Sequence, residues 1–385
     1  MKKLFAMLLC LCILAGAFTA CAGNDPDLPD SSTSSTGTSG ADVVTTAPSG
    51  EDDTKNNDAL KAALKAEFLK AADEVIVGED SVTFKDATST DGSTVTIKKN
   101  PKNVVNLYAS FTTLWYEAGG SVNGCIGGSS SQALYSEYIG RDITTDEGMT
   151  VVATTSSGKK WDTEKIVSMQ PDLIICSTAM SGYSTIEKPA KAADIPVIAV
   201  SYDDFSDYLK WFKVFCNLSG HAELWDSVAM KALDDVVEVL CEIPDGNAPR
   251  VFSMFANASK LDANTSSTVV GGMVTAMKAI NIVDDWPNTD GAERLTINLE
   301  TVFAANPDII IVQCHAGTDD AKKQVEETYG GNPVWQSLSA VKNGKVFYLE
   351  KSLFHNKPNS RFAEAYQKLA EILYPDVNFS FKSEK

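Results

Sequence analysis

Only three histidines occur in the 385-residue chain: His221, His315 and His355. Imidazole is the side chain best suited to proton transfer near neutral pH and is a common transition-metal ligand, so each is a chemical candidate. His221 opens a helical stretch and reads as a surface residue. His315 directly follows the apolar run 309–314, and His355 sits in "LFHNKP". Other candidates cluster at the ends of strand-like runs, where open α/β sheets bind ligands. They are Tyr108 and Ser110 after 104–107, Cys176, Met180 and Tyr183 after 173–175, and Met254, Phe255 and Lys260 in and after 250–255. The Gly127–Ser130 loop is a weak phosphate cradle, since it lacks both GxGxxG and GxxxxGK[ST].

Some chemistries fit poorly. A site for bare zinc or manganese wants three or four His and carboxylate ligands, and three histidines in total make that an inferior alternative. A surface enzyme is weaker still: no G-x-S-x-G, no H-E-x-x-H and no evident Ser-His-Asp set is present. Eight cysteines include Cys10, Cys12 and Cys21 near the start; Cys125, Cys176, Cys216, Cys241 and Cys314 follow with no tight spacing. An odd remainder without CxxC pairs reads as buried small hydrophobes rather than a disulfide framework or zinc site.

A second kind of candidate is a repeat. "TEKIVSMQPDLII" from Thr163 and "LETVFAANPDIII" from Leu299 both hold a glutamate, six residues, Pro-Asp and an apolar run. Glu164 and Glu300 lie 136 positions apart, as do Pro171 and Pro307. Asp162 and Asn298 precede the glutamates by two and are good N-caps, which predicts a helix start at each. A single first-turn glutamate merely complements the helix dipole. Two at equivalent places suggest matched contacts with a two-subunit partner.

The elements that must position these residues alternate between strand and helix. Residues 58–72 are helical and amphipathic, a hairpin follows, and apolar runs recur at 104–107, 122–126, 173–176 and 195–200 with helices between them. That alternation predicts a parallel sheet covered by helices. Residues 205–218 and 221–240 read as two helices, the second about 30 Å long at 1.5 Å per residue. A second alternating series starts at 250 and includes 309–314 and 346–349. It ends in an amphipathic helix over 359–373. The fold class is therefore α/β: two Rossmann-like lobes with parallel sheets, joined by a long backbone helix, with a ligand cleft between them. The expected division is 58–204 for the first lobe, 205–243 for the interlobe segment and 244–385 for the second lobe.

Residues 1–20 are expected to be a lipoprotein signal: Lys2 and Lys3, an apolar run, then Phe18-Thr19-Ala20-Cys21. Cys21 would carry lipid and hold the protein on the extracytoplasmic face of the cell membrane. Residues 21–57 are rich in Ser, Thr, Gly, Asp and Pro and are expected to be a disordered tether. Loss of the first twenty residues removes two lysines and no acid, so the formal charge goes from −18 to −20. That excludes nucleic acid as a partner and suits a soluble receptor facing a basic one.

The Cys21 segment, "VTFKDATSTDGSTVTIKKNPKNVVNL", the two E-x6-P-D units, the interlobe helix and the ending "VWQSLSAVKNGKVFYLEKSLFHNKPNSRFAEAYQKLAEILYP" resemble substrate-binding lipoproteins of iron-siderophore, haem and cobalamin ABC importers. The similarity spans about residues 80–375. It implies a monomeric receptor, not an enzyme, with no cofactor of its own, which delivers a small-molecule metal chelate to an ABC permease dimer. It also implies that Glu164 and Glu300 dock against permease arginines, whose planar forks pair well with carboxylates. The chain has four arginines, Arg141, Arg250, Arg294 and Arg361, with no evident cluster for a strongly anionic chelate. Aromatic residues with one His or Met would suit a haem, an option beside a siderophore.

Overall fold

A computed structural model describes residues 50–154, 161–257 and 259–382. The expected signal, Cys21 and residues 21–49 lie outside the described residues. The chain divides into a unit of residues 1–63 and a unit of residues 64–385. The Gly50–Asp73 helix starts in the first and ends in the second. It begins eight residues before the expected Asp58, so 50–57 is helical rather than tether. From Glu51 to Asp73 no glycine or proline interrupts propagation. Leu64, Phe68 and Ala72, spaced by four, are buried, and Phe68 meets Phe205 edge-on at 5.2 Å.

The second unit opens with a small antiparallel sheet, β1 (Ile76–Val77), β2 (Ser81–Phe84) and β3 (Val95–Lys98). The first large sheet holds β4 (Val104–Asn106), β5 (Gly124–Ile126), β6 (Thr150–Ala153), β7 (Leu173–Ser177) and β8 (Val197–Val200). Its order is β6-β5-β4-β7-β8 with every pair parallel. Its strands are almost continuously apolar because helices cover both faces. One core joins Val105, Ile126, Ile174, Trp161 and Ile186.

The second large sheet holds β9 (Arg250–Ala256), β10 (Leu261–Asn264), β11 (Ile280–Asn281), β12 (Arg294–Thr296), β13 (Ile309–Cys314) and β14 (Val346–Leu349). The order is β12-β10-β9-β13-β14, with β11 beside β9. β10 runs antiparallel to both β9 and β12, so this sheet is mixed rather than wholly parallel. β9 and β12 therefore point the same way. A separate core gathers Phe252, Ile310, Val312, Trp286 and Trp335.

Between the sheets lie the Phe205–Ser219 helix and a second helical run. The expected single helix from His221 does not form at its start. Gly220 takes a left-handed φ of 87° and ends the first helix, and the His221 amide donates to the Cys216 carbonyl at 2.8 Å. The run then begins as a π-turn, Trp225–Met230, and continues as the Lys231–Cys241 helix. Seventeen residues give about 25 Å rather than 30. The His221 ring fills the space beside Gly119, where a Cβ would lie 2.5 Å from it. The Lys231–Cys241 helix packs on the final Phe362–Leu373 helix, whose buried face carries Phe362, Tyr366, Leu369 and Leu373. Among the described residues no helix is long and apolar enough to cross a membrane.

Candidate functional site

The two E-x6-P-D units fold alike. Asp162 caps the Thr163–Ser168 helix by accepting from the Lys165 amide at 3.0 Å. Asn298 caps the Leu299–Ala305 helix by accepting from the Glu300 and Thr301 amides. Gln170 and Asn306, again 136 apart, take left-handed φ values of 47° and 42° to leave each helix. The Pro-Asp aspartates have a structural task. Asp172 Oδ2 accepts from the Lys102 and Asn103 amides at the entry to β4, and Asp308 Oδ2 accepts from the Arg250 amide opening β9. Asn103 Nδ2 donates to the carbonyl of Met169, and Arg250 Nε to that of Ala305, at matching helix ends.

The glutamates have no such task. Glu164 and Glu300 are exposed, and neither forms an ion pair among the described residues. β12 runs with β9, so the Leu299–Ala305 helix that follows it begins at the carboxyl edge, and the Asp162 amide that opens the other helix donates to the Val152 carbonyl near the end of β6 at 3.1 Å. That is the edge at which ligands sit.

At the carboxyl edge of the second sheet, β9 delivers Phe255, β13 delivers His315 and the turn after β14 delivers His355. His355 stacks on Phe255 with centroids 5.6 Å apart and planes at 17°. His315 meets His355 edge-on at 4.8 Å. Arg294, on β12, lays its guanidinium 4.3 Å from the Phe255 ring centre. Beneath them runs a buried polar chain. Arg294 Nε donates to Asn264 Oδ1 (3.2 Å), Asn264 Nδ2 to Gln313 Oε1 (3.1 Å), and Gln313 Nε2 to the Phe354 carbonyl (2.6 Å). The guanidinium and the His355 turn are thus fastened to one pair of amides.

Burial, then His315, Lys351 and Arg294, push His355 down to about 3, and burial with Lys351 lowers His315. Both imidazoles are neutral at neutral pH, each with a free lone pair, in a positive surrounding. Lys357 adds a further cation. Its Nζ donates to the Tyr202 carbonyl and lies 5.0 Å from that ring's centre. Tyr202 stacks on Phe111 at 6.3 Å, and Phe111 meets Tyr108 at 4.5 Å. Lys357 thereby links the histidine group to the aromatic residues at the carboxyl edge of the first sheet. Burial and then Asp203 raise the Tyr108 phenol, which stays protonated.

Of the residues named from sequence, Phe255, His315 and His355 come together; Tyr108 joins them through Phe111, Tyr202 and Lys357. Ser110 is buried in the first turn of the Ala109–Glu117 helix, and Met180 and Tyr183 lie half-buried at the edge of the first core. Lys260 is exposed and pairs with Asp262 at 2.9 Å. Two expectations are corrected. Cys176 and Met254 have no exposed surface, because they lie inside β7 and β9 and point into the cores. The Cys176 thiol instead approaches the Ile198 carbonyl at 3.7 Å. In the 127–130 loop, Gly128 has φ 92°, and a Cβ there would sit 2.2 Å from the Thr154 carbonyl, so the glycine serves the turn.

Arg294, Lys357 and Tyr202 were missed. Arg294 was visible only as one of four scattered arginines; its partner Asn264 is set by strand pairing, not by spacing. Lys357 was legible in hindsight, two residues beyond His355.

The lobes are also pinned beside this region. Glu117, at the end of the Ala109–Glu117 helix, accepts from Ser360 through its hydroxyl and its amide (3.3 Å for the amide) and from Tyr208 Oη (3.4 Å). Asn359 Nδ2 donates to Thr113 Oγ1 (3.1 Å), Arg361 pairs with Glu137 (2.7 Å), and Tyr138 Oη donates to the Ser352 carbonyl (3.1 Å).

A two-lobed α/β protein with ligand-ready side chains at the carboxyl edges defines a binding-protein class. The periplasmic binding protein family model matches residues 108–353, and the chain belongs to that family. It is a substrate-binding protein of ABC transport and not an enzyme. The chain is 27% identical over 301 residues to the uncharacterized ABC transporter substrate-binding lipoprotein YvrC of Bacillus subtilis, covering 77% of this chain and 86% of that one. It is 24% identical over 254 residues to the Fe(3+)-citrate-binding protein YfmC of the same organism, covering 66% and 74%. The crystal structure of Staphylococcus aureus IsdE complexed with heme matches with a TM-score of 0.57 at 14% identity, over 71% of this chain and 98% of that one.

Proposed function

We propose that this chain is an extracytoplasmic receptor that captures an iron chelate, of siderophore or haem type, and delivers it to the permease dimer of an ABC importer. The observation that carries the reading is the Phe255, His315, His355 and Arg294 group. Two neutral imidazoles can offer lone pairs to an iron centre. Arg294 and Lys357 can balance carboxylate or hydroxamate charge, and the half-buried imidazole rings can meet a flat ligand. The iron-citrate relative and the heme-bound structure point to the same ligand classes. A bare divalent cation fits less well, because Arg294, Lys351 and Lys357 would repel it. Glu164 and Glu300 serve as docking carboxylates, one per lobe, and Cys21 as the lipid attachment on a monomeric protein. The lobes are residues 58–204 and 244–385, bridged by 205–243.

The test is a titration of purified protein with haem, a corrinoid, ferric citrate and a ferric hydroxamate, read by absorption and tryptophan fluorescence. One chelate should saturate, with affinity reduced by Arg294→Leu. For haem, His315→Ala or His355→Ala should shift the absorption band. If no chelate saturates, or if the Arg294→Leu and His315→Ala double variant binds as well as the parent, the reading fails.

A further inference from the structure

The two docking helices match in cap, exit and anchoring aspartate, yet they differ at one equivalent position. Three residues after Glu164 stands Val167, half-buried against the first core. Three residues after Glu300 stands Phe303, and 50% of it is exposed. Phe303 is the only exposed aromatic side chain among the described residues. Its own helix does not need it for packing, since Val302 is fully buried and fills the core position. Residues three apart share a helix face, so Phe303 rises beside the Glu300 carboxylate. An exposed aromatic next to an unpaired acid is the composition of a contact anchor, apolar in body and flanked by charge.

We propose that Phe303 inserts into an apolar pocket of the permease beside the basic residue that receives Glu300. The partner surface is thus an arginine or lysine flanked by apolar side chains on the extracytoplasmic face of a membrane-embedded subunit. The equivalent Thr163–Ser168 helix offers Glu164 next to Lys165, and its large apolar residues Ile166 and Val167 are buried and half-buried. The receptor therefore presents two unequal contacts and seats in one orientation. This inference rests on the docking role proposed for Glu300 but goes beyond it.

The experiment places the photo-crosslinker p-benzoylphenylalanine at position 303 or at 167 of the full-length protein, expressed in its native host. Adducts are identified by mass spectrometry. The expected result is an adduct from 303 with an ABC permease subunit, lost when Glu300 is also changed to Lys. With Phe303→Ala, uptake of whichever of haem, a corrinoid, ferric citrate or the ferric hydroxamate saturates the purified protein should fall by about tenfold or more while its affinity for the purified receptor is unchanged; burial of half a phenylalanine implies that scale. Crosslinking to the permease from 167 but not 303 overturns the Phe303 inference and leaves the docking reading standing. No permease adduct from either position overturns both. An adduct joining two copies of this chain, or wild-type uptake by Phe303→Ala, also overturns the inference.

Discussion

Glu117→Gln should make the protein more stable above neutral pH and change little in acid. Glu117 is half-buried where the lobes meet, and its partners are the Ser360 hydroxyl and amide and the Tyr208 phenol, none of them cationic. Burial raises its carboxyl from 4.5 to about 7, the hydrogen bonds opposing that rise only in part. A carboxyl raised on folding holds its proton in the native state while the unfolded chain releases it. Stability is then undiminished below about pH 4.5, falls as pH rises through the window from 4.5 to 7, and is lowest above it. The full loss is about 3 kcal/mol, an upper figure for the ionised group. Glutamine keeps the acceptor and carries no charge, so it removes that penalty. Chemical denaturation of both proteins at pH 5 and pH 8 measures it. The variant should match the parent at pH 5 within about 1 kcal/mol and exceed it by about 2–3 kcal/mol at pH 8. An equal difference between the two proteins at both pH values would refute the reasoning, since a packing effect does not titrate.

Charge reversal of both docking carboxylates, Glu164→Lys with Glu300→Lys, should abolish uptake in cells while leaving chelate affinity of the purified protein unchanged; normal transport refutes the docking role. Asp172→Ala removes the acceptor of two backbone amides and should cost about 2 kcal/mol, against about 1 for Asp308→Ala, which serves one, as read by denaturant unfolding. Cys21→Ser should move the protein from the membrane fraction to the soluble one, and retention on membranes refutes lipid attachment there.

What could be read in advance was what lies close together in the chain. The caps Asp162 and Asn298, the Pro-Asp turns and most strands were legible because their causes sit within a few residues. His315 and His355 were legible as residues ending strand or turn segments. Cys176 and Met254 were misjudged for the opposite reason. Strands covered on both faces show no alternation, so the sequence cannot tell which residue of the run is the last inside the sheet. Arg294 depends on its pairing with Asn264 across an antiparallel strand, a contact thirty residues long-range. The start of the interlobe helix failed on one glycine, Gly220, whose left-handed turn overrides the helical periodicity around it.

The amide pair Asn264 and Gln313 would make the proposed site harder to retune than its outer residues suggest. Because both the guanidinium and the His355 turn are tethered to it, altering either amide would shift two groups of the proposed site together. Divergence toward a new chelate would therefore be cheapest at His315, which takes no part in that hydrogen-bonded chain.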